Sequence, residues 1–308
     1  MALKGYGNRA RRPYPRFPFS ENGRWPPERP RAKVAGMSET NRESGADPRA
    51  IPDVPGLVVS FPGPGVALVE IDRPHRRNAL DRALLDGLPA VLGQLNGRDE
   101  VRVIVLSGRG GAFCAGGDLA VIGDMSGESP EQAAARMARE FASASRLLGS
   151  PKITIAAVGG PAVGAGLALA LACDIRVGGG GAVFAAPFIR MALVPDFGVS
   201  WLLARTIGPS AAIDVAVTGR KVAAEEALRR GMLTEIAADP LGAALEKAAA
   251  IAAAVPRIAA ATKTLIRDAL TTDFDAALEA EIGHQLDAVR SEEFRRHWSA
   301  WSAAVRGT

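Results

Sequence analysis

Two glycine-rich turns follow apolar runs. Val103–Leu106 leads into Ser107-Gly108-Arg109-Gly110-Gly111-Ala112-Phe113-Cys114-Ala115-Gly116-Gly117-Asp118. Ile153–Val158 leads into Gly159-Gly160-Pro161-Ala162-Val163-Gly164-Ala165-Gly166, ahead of an apolar helix. Glycine lets main chain approach a ligand or another main chain closely. Two such turns can aim two backbone N–H groups at one carbonyl oxygen, an oxyanion hole made without side chains. The same glycines also suit two ordinary tight turns. Cys114 sits in the first turn with no His near it in sequence, so it reads as a small buried residue rather than a nucleophile. Cys114 and Cys173 make no disulfide framework, and no metal-ligand spacing joins them to His75, His284 or His297.

The elements that must hold these turns alternate. Leu57–Phe61 and Val66–Ile71 read as a strand pair around Pro62-Gly63-Pro64-Gly65. Residues 81–96 read as a helix beginning near Asp81. Val101–Leu106 and Ile153–Val158 are short continuous apolar runs, the pattern of strands covered on both faces. Residues 131–148 predict one helix, 164–172 the next, and Val183–Ala185 a short strand. Pro195-Asp196-Phe197-Gly198-Val199 leads into a helix containing Trp201-Leu202-Leu203. From there helical pieces follow over 210–216, 223–230 and 241–270, interrupted at Pro256, with 273–290 as the last long helix. Strand–helix alternation followed by an all-helical end predicts stacked β-α units with a helical cap or subunit interface.

The 308 residues, 48% hydrophobic, suffice for a large core. Residues 1–36 hold nine Lys or Arg and two acids, a charge of +7, against +4 for the whole chain; the remainder carries −3. The basic balance therefore belongs to the front segment. That segment is rich in Pro and aromatics, has no helix or strand period, and predicts disorder. It lacks the apolar stretch of a secretory signal. It reads either as an extension ahead of a start at Met37 or as a nucleic-acid-binding tail, and no other basic and aromatic patch supports the second reading. The most apolar stretch, Ile153–Ile175, is broken by Gly, Pro and Asp174 and reads as strand, turn and buried helix rather than a membrane span. A reducing, cytoplasmic setting follows from the cysteine usage.

Several motifs together resemble the enoyl-CoA hydratase/isomerase (crotonase) superfamily from about Leu57 to Ala300. Asp72-Arg73-Pro74-His75-Arg76-Arg77-Asn78-Ala79-Leu80 resembles its CoA-contacting turn. Phe113–Asp118 resembles the first oxyanion turn, and Ile155–Gly160 with Gly164–Gly166 the second. Cys173-Asp174-Ile175 and Leu193-Val194-Pro195-Asp196 follow at the family's spacing. The resemblance implies an α/β fold, a spiral of repeated β-β-α units over 56–250, behind a tail over 1–55. It also implies a helical trimerisation region over 251–308 and a homo-trimer or hexamer. It implies an acyl-CoA thioester as substrate, with coenzyme A as part of it, no separate cofactor or metal, and no nucleic-acid or membrane partner. The oxyanion N–H groups fall on Gly117 and Ala165. Arg77, Ala79, Ala115, Gly116, Asp118, Phe188 and Lys263 fall at substrate- or CoA-binding positions. Asp118 is expected to order its turn, and Arg73 and Arg76 could join Arg77 at the CoA phosphates.

The resemblance departs at the acids. The two carboxylate positions of a typical hydratase carry Ala168 and Phe188, and neither can move a proton. Asp196 matches the catalytic Asp of several family isomerases, and its surroundings resemble ring-1,2-epoxyphenylacetyl-CoA isomerase-like members. One carboxylate suffices to move a proton between C2 and C4, and Phe188, Phe197, Val199 and Trp201 could desolvate it. Asp196 could also simply cap the following helix. The alternatives are a hydratase, lyase or hydrolase using Asp124, Glu128 or Glu131, and a non-catalytic acyl-CoA binder.

Overall fold

A computed structural model describes residues 50–122 and 127–306. The expected tail up to residue 49, and Asp124, lie outside the described residues. In chain order the strands and helices are β1 Leu57–Gly63, β2 Val66–Ile71, α1 Arg82–Asn96, β3 Val103–Gly108, α2 Leu119–Ile122, α3 Pro130–Glu140 and α4 Ala142–Leu148. Then come β4 Ile153–Val158, β5 Pro161–Val163, α5 Ala165–Ala172, β6 Ile175–Gly178, β7 Val183–Ala185, α6 Val199–Ile207 and α7 Pro209–Thr218. The chain continues through β8 Lys221–Ala223, α8 Ala224–Arg229, β9 Glu235–Ile236, α9 Pro240–Ala253, α10 Pro256–Asp268, α11 Phe274–Val289 and α12 Glu292–Arg306.

The larger sheet has the order β1-β2-β3-β4-β6-β9, antiparallel at β1/β2 and parallel elsewhere. Side chains alternate across it, as strand geometry requires. Val66, Leu68, Val103, Val105, Ile155 and Val177 pack with Ala244, Ala248 and Ala252 of α9. Those alanines recur every four residues, so one small-residue stripe of α9 lies flat on the strands. On the other face Ala67, Val69, Ile104, Leu106, Ala156 and Val158 join the buried residues of α1, α4 and α5. The apolar runs of β3 and β4 are thus covered on both faces, as predicted. A smaller sheet, β5-β7-β8, carries the chain beside the second glycine turn.

Local signals explain the boundaries. Asp81 caps α1, its side chain accepting from Leu84 N at 3.1 Å. All eight residues of α5 are buried, which suits a helix apolar on every side. The single helix expected over 131–148 is two, broken at Phe141, which ends α3 and begins α4. The helix over 273–290 is not the last, because α12 follows it. Val54, within the range read as tail, is buried in the core.

The C-terminal helices differ from the body. Neither α10 nor α11 has a buried residue. Leu270, Phe274, Ile282, Trp298 and Trp301 are each more than half exposed. Among the described residues no single helix is long and apolar enough to cross a membrane.

Candidate active site

The first glycine turn is held by a residue whose importance the sequence reading missed. Asn78 is fully buried and left-handed, at φ 58°. Its amide donates to the carbonyls of Arg109 (2.9 Å) and Ala112 (2.7 Å), and its Oδ1 accepts from Arg73 N (2.9 Å). It therefore staples the Asp72–Leu80 segment to the turn after β3. The available signal was its type, since Asn tolerates the left-handed region better than most residues. Arg73 is committed to the same task. Its guanidinium donates to Ala79 O and pairs with Asp81 (3.2 Å) and Asp118 (3.3 Å). It is not free for a CoA phosphate, unlike the exposed Arg76 and Arg77. Asp118 accepts from Ala120 N, which with Arg73 holds its carboxyl below the usual range. It orders the turn.

The two turns are joined main chain to main chain. Phe113 N and Cys114 N both donate to Pro161 O, and Val163 N donates to Cys114 O. Gly116 lies at φ +95°, and a Cβ there would stand 2.8 Å from Val163 O and 3.5 Å from Ala165 N. A Cβ on Gly166 would overlap the Cys114 carbonyl. The turns therefore touch at Gly116, one residue before Gly117, and at Gly164, one residue before Ala165. The bridge between Leu80 and Gly117 uses Gly116 O and Asp118 N, so Gly117's own N–H stands outside it. Ala165 is the first residue of α5, where an N–H has no partner within the helix and the helix dipole favours negative charge. Ala79 and Gly116 are buried and Ala115 half-buried around these turns. Cys114 is fully buried, and burial pushes its thiol up to about 12, which removes it as a nucleophile.

Phe188 brings the later segment to the same place. It is buried in a short 3-10 turn, Pro187–Met191, with its ring tip 3.8 Å from where a Cβ of Gly164 would lie. Leu193 N closes back on Phe188 O at 3.0 Å, and Asp196 follows three residues on. Asp196 Oδ1 is shut off from solvent and has no hydrogen-bond partner. Burial raises this carboxyl to about 6, opposed only by its own backbone N–H. Asp196 is not the cap of α6: the capping position is Gly198, and no side chain caps that helix. Ala168 is buried within α5.

Other candidates go elsewhere. Lys263 does not join these residues. Its Nζ pairs with Asp174 (2.8 Å) and donates to Lys152 O (2.7 Å), and Arg267 completes the pairing on Asp174 (2.6 Å). It ties α10 to the sheet, since Asp174 also accepts from Thr154 N and Oγ1 of β4. Glu128 pairs with Arg136, and Glu131 accepts from Ser129. A separate cleft of about 300 Å3 lies by Glu70, Ser107, Ala157 and Asp239, on the sheet face that carries α9. Glu70 there is paired with Arg109. Among the described residues no group of His, Cys, Asp and Glu could hold a metal ion.

Parallel β-α units, paired glycine turns and a helical C-terminal region are the architecture of the crotonase class. The chain belongs to the enoyl-CoA hydratase/isomerase family, whose model matches residues 63–302. It is 38% identical over 241 residues to the probable enoyl-CoA hydratase EchA14 of Mycobacterium tuberculosis (strain ATCC 25618 / H37Rv), covering 76% of this chain and 93% of that protein. It is 32% identical over 250 residues to 1,2-epoxyphenylacetyl-CoA isomerase of Escherichia coli (strain K12), covering 80% and 95%. The crystal structure of enoyl-CoA hydratase from Bacillus anthracis superimposes with a TM-score of 0.76 at 28% identity, covering 81% of this chain and 96% of that one. The protein is an enzyme acting on an acyl-CoA thioester. No special closeness to isomerases emerges, since hydratase and isomerase names both occur among its relatives.

Proposed function

We infer that the enzyme shifts a carbon–carbon double bond in an enoyl-CoA, with Asp196 as a single proton shuttle. The observation that carries this is the pairing of a half-buried carboxyl at Asp196, its Oδ1 shut off from solvent and without a partner, with Ala168 and Phe188 at the two positions where a hydratase needs acids. The thioester oxygen would receive the N–H groups of Gly117 and Ala165. The Asp196 carboxylate removes a proton from C2 of a 3-enoyl-CoA, and the electron pair moves onto the thioester oxygen as a dienolate. The two donors and the α5 dipole favour that charge over the neutral ground state. Asp196 then returns the proton at C4, leaving the double bond between C2 and C3. A carboxyl near 6 is ionised at neutral pH yet basic enough to exchange the proton. Arg76 and Arg77 are the exposed cations for the CoA phosphates.

Water addition is the second reading, and the names of several relatives favour it. It would require Asp196 to serve both the water and the carbon. Incubation of 2-enoyl- and 3-enoyl-CoA in D2O decides between them. Migration with deuterium at C2 and C4 supports the shuttle. Rapid formation of 3-hydroxyacyl-CoA instead overturns it. The exposed apolar faces of α10–α12 fit a homo-trimer or hexamer, which sedimentation would reveal as the absence of monomer at micromolar concentration.

A further inference from the structure

The loop that carries Asp196 is held in a conformation it would not choose alone. Ala192 (φ 55°), Phe197 (φ 48°) and Gly198 (φ 80°) are all left-handed. For a bulky residue such as Phe197 that region is strained, so surrounding structure must hold it. The holding contact is aromatic. The Phe197 ring, 6% exposed, lies with its centroid 4.4 Å from that of Phe141, tilted by 40°. Phe141 is the residue at which the expected single helix breaks. The preceding residue, Glu140, is itself anchored: Arg82 of α1 donates to it, and Arg136 reaches both its oxygens at 3.0 Å. An ion-pair anchor thus fixes the helix break, the break presents a ring, and the ring backs the residue after Asp196.

We propose that Phe141 is a positioning residue for Asp196, clamping Phe197 in its left-handed conformation and so keeping Asp196 Oδ1 shielded from water. The Glu140 anchor sets where that clamp stands. The charged groups on surrounding elements are engaged elsewhere. Arg190 donates to Gly219 O, and Arg205 lies over the Trp201 ring. Arg136 is paired with Glu128 and Glu140, and Asp118 with Arg73. Burial, with no charged neighbour acting on it, accounts for the raised carboxyl.

This inference rests on Asp196 being the acid–base group, and the test separates the two. The acid limb of kcat/KM against pH is measured for the parent, Phe141→Ala, Phe141→Leu and Phe197→Gly, with Asp196→Asn alongside. Opening the clamp hydrates the carboxyl, so Phe141→Ala should move the limb down by about one pH unit and lower kcat about tenfold, with KM little changed. Phe141→Leu, which restores apolar bulk, should return the limb most of the way. Phe197→Gly removes the ring and relieves the strained backbone, so it should shift the limb even if Phe141→Ala fails to fold. A limb unmoved in Phe197→Gly and in any folded Phe141→Ala overturns the clamp. Full turnover by Asp196→Asn would instead overturn the shuttle itself.

Discussion

On the proposed mechanism the working groups of the turns 108–118 and 159–165 are main-chain N–H, and the contacts that place them are carbonyl against glycine. In the loop 192–198 the proposed working group is one side chain, on a segment that carries three left-handed residues and an aromatic contact. The first region is tight at particular points: at Gly108, Gly116 and Gly160 an added Cβ would press on a main-chain oxygen. The second rests on one half-buried carboxyl whose Oδ1 is shut off from solvent. Charge stabilisation can be delegated to backbone because any residue supplies an N–H. Proton transfer cannot, because it needs a group that titrates near the working pH.

The largest effect should come from the side-chain region. Asp196→Asn keeps size and folding but removes the base, so turnover should fall by a factor of order 10²–10⁴ while acyl-CoA binding, measured by calorimetry, is retained. Unchanged turnover would put the working carboxyl elsewhere. Next is the backbone region. Gly117→Pro deletes an N–H and should cost kcat about 10²–10³-fold. Circular dichroism and acyl-CoA affinity show whether the turn survives, and near-parental kcat in a folded variant would move the carbonyl away from Gly117.

A smaller effect tests what joins the two glycine turns to the segment before them. Asn78→Ala leaves two carbonyls and one N–H without its side chain and should destabilise by roughly 2–4 kcal/mol in denaturant unfolding. Smaller still is a pH effect. The Asp196 carboxyl is raised from 3.8 to about 6, so the folded state binds the extra proton between those values. Its contribution is fully present below pH 4 and is lost as pH rises through 6. Asp196→Asn does not titrate there, so its Tm relative to the parent should climb between pH 4 and pH 6 and then level off. A flat difference would mean the carboxyl is not buried in solution. Least of all, Cys114→Ala should leave turnover unchanged, because the proposed mechanism uses the backbone of that turn and not its buried thiol.

Much of the frame was legible beforehand. Continuous apolar runs announced β3 and β4 as strands covered on both faces, and Asp81 announced the start of α1. The glycine turns were legible because glycine marks places where main chain must pass close to main chain. The break at Phe141 was not, because no Gly or Pro marks it. Lys263 could not be placed either: a lysine on a late helix looks the same whether it meets a phosphate or, as here, Asp174.

Composition and order along the chain were enough for the family, the α/β class and the positions of both glycine turns, since these depend on local residue type and spacing. They also showed which acids were missing, because Ala168 and Phe188 are visible as letters. Whether Asp196 caps a helix or stands alone, whether Arg73 is free, and that Asn78 is the staple all depended on contacts between residues far apart in sequence. Burial and hydrogen-bond partnership are properties of the packed chain. A carboxyl's basicity is set by what surrounds it, and no string of neighbours in sequence contains that information.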